Sequence, residues 1–190
     1  MGSPSEPSGL LALLLSRPPT FGGADGPRGR LLCLDGPAGS GKTTLAGEIA
    51  TLAADRGIPT TVIHLDDLYD GWSGLPRLSE QLDPLLLPLA QGETGSYRRY
   101  DWAAGRLAET VTVAPTPLLI LEGVGSGLAA YRRLRTMLVW VDAPTDVRLA
   151  RWRARDGDRA EPFIAGWQRD EEALFARERT REAADLIWTT

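Results

Sequence analysis

The stretch best suited to chemistry is a glycine-rich octapeptide with one lysine and one threonine. It reads Gly-Pro-Ala-Gly-Ser-Gly-Lys-Thr and covers residues 36–43. A glycine, four residues and then Gly-Lys-Thr is the spacing of a phosphate-binding P-loop. In such a loop the backbone N–H groups point inward, and the following helix adds the positive end of its dipole. An ordinary glycine-rich turn is the alternative, but an apolar run before the octapeptide and a helical pattern after it favour the P-loop.

These residues predict that the chain binds a nucleoside triphosphate. Lys42 is expected to reach the β- and γ-phosphates, and the Thr43 hydroxyl is expected to bind Mg²⁺. ATP and Mg²⁺ are therefore the predicted cofactors. The residues predicted to bind the nucleotide are Gly36, Ala38, Gly39, Ser40, Gly41, Lys42, Thr43 and Thr44.

An aspartate pair follows the apolar run at residues 60–65. Transfer of a phosphoryl group requires neutralised phosphate charge, an oriented acceptor hydroxyl and a group that takes its proton. Asp66 is well placed to take this proton, and its neighbour Asp67 competes for the role. The alternative is a surface Asp-Asp pair that only caps a turn.

Glu122 ends a second apolar run, which covers residues 118–122. A carboxylate there suits a ligand that holds Mg²⁺ directly or through water. The alternative is a strand-end carboxylate that caps the next turn at Gly123. Asp142 ends a third apolar run in the same way.

Arginines are concentrated in the helical pattern at residues 146–156. Arg148, Arg151 and Arg155 share one face, because residues three and four apart are neighbours on a helix. Guanidinium groups bind phosphates through two hydrogen bonds, so the helix could close over a triphosphate as a lid. The alternative is a solvated basic face that pairs with nearby acids, namely Asp146, Asp156 and Asp158.

Aromatic residues surround the aspartate pair and the middle of the chain. Together with Asp101 and nearby arginines, they would suit a planar base and a ribose through stacking and hydrogen bonds. Packing of a subdomain on the core is the alternative. The lone His64 lies within an apolar run and is expected to have a core or hydrogen-bonded role. The aromatic residues are Tyr69, Trp72, Tyr97, Tyr100 and Trp102.

The elements that must position these residues alternate between strand and helix. Strands are predicted at 31–34, 60–65, 118–122, 137–142 and 186–188, with an edge strand at 110–113. Helices are predicted at 42–56, 128–135, 146–156 and 161–184, whereas Pro84 and Pro88 argue against a single helix at 78–89. Continuous apolar strands alternating with helices indicate a three-layer α/β fold around a parallel sheet. The carboxyl ends of its strands would bring the octapeptide, Asp66, Glu122 and Asp142 together.

Composition narrows the classes of function. The 190 residues suit one domain, and a net charge of −4 argues against a nucleic-acid partner. The apolar run at residues 10–15 is too short to span a membrane, and residues 10–16 are expected to pack on the domain as a short helix. We predict a flexible N-terminal segment at 1–29, loose at 1–9 and 18–29, and a kinase-like domain at 30–190. The single cysteine, Cys33, fits a reducing cytoplasm.

The motifs together resemble the uridine kinase-like branch of P-loop kinases, which includes nucleoside and pantothenate kinases. The blocks that carry the resemblance are residues 36–44, 66–69, 100–102, 118–123 and 146–151. The resemblance implies a nucleoside-kinase-like fold with a short Arg-rich lid helix. It assigns the base to Asp66, phosphate contacts to Arg148 and Arg151, and substrate contacts to Tyr69. Tyr100, Asp101 and Trp102 would lie against the nucleoside; Asp66 and Glu122 would serve both substrate and metal.

Two positions differ from the family pattern. No histidine follows Trp102, where uridine kinases use one to read the pyrimidine, and Leu68 replaces an aromatic residue. The expected partner is a small molecule with a hydroxyl group, either a nucleoside-like compound or another metabolite or vitamin. An ATP-binding regulatory module is the alternative from a different class. Homo-oligomer formation is left open.

Overall fold

The computed structural model describes residues 5–22, 28–157 and 161–190, which form an α/β fold. The helices are α1 (Pro7–Ser16), α2 (Lys42–Asp55), α3 (Ser79–Ala90), α4 (Thr145–Asp156) and α5 (Glu161–Glu178). The strands are β1 (Arg30–Asp35), β2 (Thr60–His64), β3 (Gly95–Asp101), β4 (Arg106–Val113), β5 (Leu118–Glu122), β6 (Met137–Asp142) and β7 (Leu186–Thr189). None of the helices described is long and apolar enough to cross a membrane.

The central sheet is parallel throughout and has the strand order β2-β5-β1-β6-β7. The residues of β5 and β6 are buried almost without interruption, because helices and turns cover both faces. In the register, Glu122 lies beside Leu34 on one side and His64 on the other. The P-loop, Glu122 and Asp142 therefore lie together at the carboxyl ends of the strands, as predicted.

Two apolar layers hold the helices on the sheet. On one face, α1 and α2 bury Leu10, Leu11, Leu14, Leu45 and Ile49 against alternate residues of the central strands. The other layer contains the buried residues of α3 and α5, together with aromatic residues and the β3–β4 hairpin. The predicted packing of the apolar run at 10–15 as a short helix is confirmed. Residues 18–29 were predicted to be loose. Within the described part of this segment, Phe21 is buried in the core and pairs with Gly29.

The expectation that prolines would break the helix at 78–89 was wrong. A single helix, α3, continues through Pro84 and Pro88. These prolines are four residues apart and lie away from the buried face formed by Leu82, Leu85, Leu86 and Leu89. Each proline removes an N–H donor, but on this side of the helix the carbonyl that loses its partner can face water.

Three further elements differ from the predictions. Residues 110–113 belong to β4, which pairs with β3 in a separate two-stranded antiparallel sheet rather than at the edge of the central sheet. Residues 128–135 contain only a short 3₁₀ turn, Ala129–Tyr131. The last helix ends at Glu178 because Arg179 adopts a positive φ of 51°.

Candidate functional site

The P-loop connects β1 to α2, and its glycines allow close backbone approach. Gly36 and Gly39 have φ angles of 139° and 77°, which side-chain-bearing residues rarely adopt. A Cβ atom at Gly39 would lie 2.3 Å from the carbonyl oxygen of Arg148, and one at Gly36 would lie 2.1 Å from that of Val141. The loop is therefore packed directly against β6 and the first turns of α4.

Lys42 lies at the start of α2 and is buried. Its Nζ atom donates hydrogen bonds to the carbonyl oxygens of Gly36 at 2.7 Å and Pro37 at 2.9 Å. Burial lowers the pKa of this ammonium group, whereas nearby carboxylates oppose the shift, Glu122 most strongly and Glu171 next. The charged group is thus held against the loop to which the phosphates are predicted to bind.

Glu122 brings two other polar residues together at the carboxyl end of β5. Its Oε1 atom accepts a hydrogen bond from the Thr43 hydroxyl at 3.1 Å and lies 2.5 Å from Nδ1 of His64. This contact confirms the predicted hydrogen-bonded role of His64, and the hydrogen bond to Glu122 raises the pKa of the imidazole.

The oxygen atoms of Thr43 and Glu122 fit the preference of Mg²⁺ for oxygen ligands. Within the described residues, no three His, Cys, Asp or Glu side chains form a metal-binding group. Two protein oxygens would nevertheless suit a magnesium ion that takes its other ligands from phosphates and water. These two residues could therefore hold the predicted ion at the end of the P-loop.

Asp66 lies on a short 3₁₀ turn, Leu65–Asp67, directly after β2. Its side chain is 57% exposed, and its Oδ2 atom is 3.8 Å from a guanidinium nitrogen of Arg155. The backbone carbonyl of Asp66 accepts a hydrogen bond from Trp102 Nε1 at 2.9 Å. The predicted base is thus accessible to a substrate and lies beside both the lid helix and the aromatic residues.

The predicted acceptor residues have different surroundings. Trp102 is exposed and contacts Tyr100, with ring centroids 5.0 Å apart. Asp101 accepts hydrogen bonds from the backbone N–H groups of residues 103 and 104, so it stabilises the turn of the hairpin. Tyr69 is buried, and its hydroxyl donates to the carbonyl oxygen of Val124 at 2.9 Å. This core position gives no support to the predicted substrate contact by Tyr69.

The aromatic residues near Asp66 also pack against the lid. The ring of Trp72 stacks on Phe163 with centroids 5.2 Å apart and an interplanar angle of 3°. Trp152 of α4 and Trp167 of α5 contact the same indole. Trp72 is therefore a packing residue, as the alternative interpretation of the aromatic residues predicts. The ring of Trp102, in contrast, is accessible.

The arginines of α4 contact different parts of the site. Arg148 donates hydrogen bonds to the carbonyl of Ala143 and the Thr145 hydroxyl, both at 3.2 Å, and also approaches the P-loop at the carbonyl of Ala38. Arg151 donates to the Thr190 hydroxyl at 2.8 Å.

That hydroxyl donates to the carbonyl oxygen of Ser40, so Thr190 links Arg151 to the P-loop. Of the acids proposed as partners of a solvated basic face, Asp158 and the side chain of Asp156 lie outside the described residues. The alternative of a solvated basic face therefore stays open, and the contacts of Arg148 and Arg151 attach α4 to the loop.

Sequence reasoning missed two buried carboxylates that contact the P-loop. Asp35 accepts hydrogen bonds from the N–H groups of Gly36, Gly125 and Gly127 at 2.7–2.9 Å. Glu171 of α5 accepts one from the N–H group of Ala38 at 2.8 Å. The sequence feature that could have identified Asp35 is its position as an acid directly between an apolar strand and the loop. For Glu171, it was an acid on the apolar stripe of a helix.

A cavity of about 370 Å³ opens beside the start of α2. Its walls are formed by the P-loop, α2, α4 and residues near the end of β7. Its lining residues are Gly41, Thr44, Leu45, Glu48, Arg151, Trp188 and Thr190. The cavity is therefore continuous with the loop that is predicted to bind the triphosphate.

Comparison with known proteins supports the resemblance. The model of the phosphoribulokinase/uridine kinase family matches residues 78–161, which include Tyr100–Trp102, Glu122 and the arginines of α4. No curated protein matches the sequence significantly. The predicted resemblance to the uridine kinase-like family is confirmed by the family match, although the matched region does not include the P-loop.

Solved structures share the fold over nearly the whole chain. A possible uridine kinase from Bacillus stearothermophilus is 21% identical, with a TM-score of 0.62 and coverage of 94% of this chain and 95% of that one. A candidate fructose transport system kinase from Silicibacter sp. TM1040 is 24% identical, with a TM-score of 0.65 and coverage of 96% and 98%. D-glycerate 3-kinase from Cryptococcus neoformans is 15% identical, with a TM-score of 0.50 and coverage of 92% and 86%. The predicted P-loop kinase fold is thus confirmed.

Proposed function

We propose that this chain, which has the fold of P-loop kinases and resembles the phosphoribulokinase/uridine kinase family, is an ATP-dependent kinase. It would transfer the γ-phosphoryl group to a hydroxyl of a small molecule. The main observation behind the proposal is that one helix, α4, contacts the P-loop and also lies beside Asp66. Arg148 and Arg151 of this helix contact the P-loop directly or through Thr190, whereas Arg155 lies 3.8 Å from Asp66.

This arrangement suits transfer to an acceptor better than hydrolysis. A kinase must hold donor and acceptor in line and exclude water while the transition state forms. One helix that contacts both the donor loop and the exposed Asp66 can do this, because its position depends on both halves of the site. Arg148 and Arg151 would neutralise charge on the phosphates.

The donor nucleotide would bind with its phosphates on the P-loop and Lys42. Its nucleoside part would occupy the cavity of about 370 Å³, where Trp188 and Arg151 offer flat groups for stacking. Thr43 and Glu122 would hold Mg²⁺, which supplies charge neutralisation on the phosphate oxygens when bound.

Asp66 would accept the proton of the acceptor hydroxyl. An exposed carboxylate beside Trp102 can receive a small molecule, and the indole offers a face for a planar ring. These features favour a nucleoside or nucleoside-like acceptor. A non-nucleoside metabolite or vitamin is the second candidate, because residues 103–106 contain no histidine that could read a pyrimidine. The proposal requires neither nucleic acid nor a membrane.

An ATP-binding regulatory module or partner-controlled NTPase is the alternative from a different class. Such a protein would hydrolyse ATP slowly and show no response to small acceptors. The kinase is favoured because α4 contacts the P-loop and also places Arg155 3.8 Å from Asp66, the predicted acceptor base.

The test is a screen for acceptors. ADP release from ATP and Mg²⁺ is measured with a panel of nucleosides, sugars, glycerate and vitamins, and the phosphorylated product is identified by mass spectrometry. A Lys42→Met variant serves as the control for contaminating kinases. We expect at least one compound to increase ADP release by more than about tenfold in a Lys42-dependent manner. Slow hydrolysis that no compound accelerates would favour the regulatory module.

A further inference from the structure

Glu171 is a buried acid on α5 whose side chain is only 5% exposed. Its Oε2 atom accepts hydrogen bonds from the N–H group of Ala38 at 2.8 Å and from Trp167 Nε1 at 3.3 Å. Its Oε1 atom lies 3.9 Å from a guanidinium nitrogen of Arg148. A single carboxylate therefore contacts the P-loop, the lid helix and an aromatic residue of the core.

The position is an unfavourable one for a negative charge. Burial raises the pKa of Glu171, and the Ala38 N–H group, Lys42, Arg148 and Trp167 only oppose that shift. A carboxylate beside Lys42 and Arg148 would also repel the phosphates that those residues are proposed to bind. A hydrophobic residue at position 171 would pack on the core without this electrostatic cost. The presence of an acid therefore indicates a role in the site.

This inference rests on the proposed function. We propose that Glu171 is a positioning residue for phosphate binding, which acts on the triphosphate through its hydrogen bond to Ala38. Its hydrogen bond fixes the Ala38 peptide and with it the conformation of the loop at residues 39–43, whose N–H groups are proposed to face the phosphates. Its longer contact with Arg148, at 3.9 Å, only adds to the hydrogen bonds by which Arg148 itself holds the first turns of α4 beside the loop.

The part of the side chain that matters in this role is its oxygen acceptor. Glutamine has the same length and can offer its carbonyl oxygen to Ala38 and Trp167, so Glu171→Gln keeps both hydrogen bonds of Oε2. It loses the charge and the 3.9 Å contact with Arg148, which keeps its own hydrogen bonds to Ala143 and Thr145. Alanine removes both and leaves the buried N–H group of Ala38 without its partner. A shift of the loop by about 1 Å can lower the rate of a well-positioned reaction by about a hundredfold.

The experiment compares Glu171→Gln, Glu171→Ala and the neighbouring control Glu172→Ala, whose residue is exposed on the same helix. Binding of ATP and Mg²⁺ is measured by calorimetry without acceptor, and kcat and KM for ATP are measured with the acceptor from the screen. We expect the alanine variant to bind ATP at least about tenfold more weakly and to lose at least about tenfold in kcat.

The glutamine variant should keep kcat within about threefold and bind ATP as tightly as the wild type or more tightly, because a repelling charge is gone. Glu172→Ala should resemble the wild type. Thermal unfolding is recorded for each variant. The proposal is overturned if glutamine and alanine lower ATP binding and kcat to the same extent, or if alanine only lowers the melting temperature and leaves both values unchanged.

Calorimetry separates this inference from the proposed function. If the wild type binds ATP but transfers its phosphoryl group to none of the compounds, the kinase proposal fails, while the ranking of the binding constants still tests Glu171. If the wild type does not bind ATP, both proposals are overturned.

Discussion

The carboxylate of Asp35 joins two backbone segments under the P-loop, the start of the loop itself and the turn that follows β5. Its side chain is fully buried at the end of β1. Oδ1 accepts hydrogen bonds from the N–H groups of Gly36 at 2.7 Å and Gly125 at 2.9 Å, and Oδ2 accepts one from Gly127 at 2.8 Å. We therefore expect Asp35→Asn to destabilise the fold strongly, although it changes only one atom.

The magnitude follows from counting these bonds. In the best orientation, the asparagine oxygen keeps the bonds to Gly36 and Gly125, but its NH₂ group then faces the N–H group of Gly127. One hydrogen bond to a charged group is lost, and two buried donors, the N–H group of Gly127 and the new NH₂ group, are left without an acceptor. Such losses overlap and together cost about 3 kcal/mol. For a chain of this length, the melting temperature should fall by about 6–12 °C.

The matched control is Asp142→Asn at the end of the neighbouring strand β6. The Asp142 carboxylate is partly exposed and accepts a hydrogen bond from the N–H group of Ala143 at 3.0 Å, so water can replace what is lost. We expect a loss below about 1 kcal/mol. Differential scanning calorimetry measures both variants. Equal melting temperatures for Asp35→Asn and the wild type would refute the reasoning.

Three further predictions concern packing and the P-loop. Leu11→Ala should lower the free energy of unfolding by about 2–5 kcal/mol in urea titrations, because the Leu11 side chain of α1 is buried in the core. Leu87→Ala, on the exposed side of α3, should change this free energy little. The buried thiol of Cys33, whose pKa burial raises to about 12, should react with iodoacetamide only after unfolding; rapid labelling of the folded chain would contradict its position in β1. Gly39→Ala should weaken ATP binding by at least about tenfold, because the new Cβ meets the carbonyl of Arg148, whereas Gly47→Ala in α2 meets nothing within 4 Å and should leave binding unchanged.

The sheet and the P-loop could be predicted because short-range patterns determine them. The strands at 118–122 and 137–142 have the predicted bounds, since continuous apolar runs between turns have few other structures available. The octapeptide at 36–43 was recognised from its spacing and from the strand and helix patterns on either side of it, and its glycines are required by backbone geometry. The meeting of Thr43 and Glu122 followed from the rule that parallel strands place their carboxyl ends at one edge.

The remaining features depend on tertiary contacts that no local pattern contains. The course of α3 through Pro84 depends on which side of the helix faces the core. Tyr69 was expected at the substrate from the resemblance, but its hydroxyl is used by the carbonyl of Val124. Glu171 is 133 residues from Ala38 in the sequence, so only the packing of α5 beneath the loop brings them together.

The proposed role of Asp66 as the base can be tested against its neighbour Asp67, which competed for the role in the sequence. Each is changed to asparagine, which preserves size and removes the ability to take a proton. Transfer is measured as formation of phosphorylated acceptor, and ATP binding is measured separately by calorimetry. A general base typically contributes about 10²–10⁴ to the rate, so Asp66→Asn should lower transfer at least about a hundredfold.

ATP affinity of the Asp66→Asn variant should stay within about threefold of the wild type, because the Asp66 side chain is exposed and water screens its charge. Asp67→Asn should keep most of the transfer activity. Loss of transfer with retained ATP binding is therefore expected for Asp66→Asn and not for Asp67→Asn. Transfer at the wild-type rate by the Asp66→Asn variant would contradict the assignment of the base and the kinase mechanism built on it.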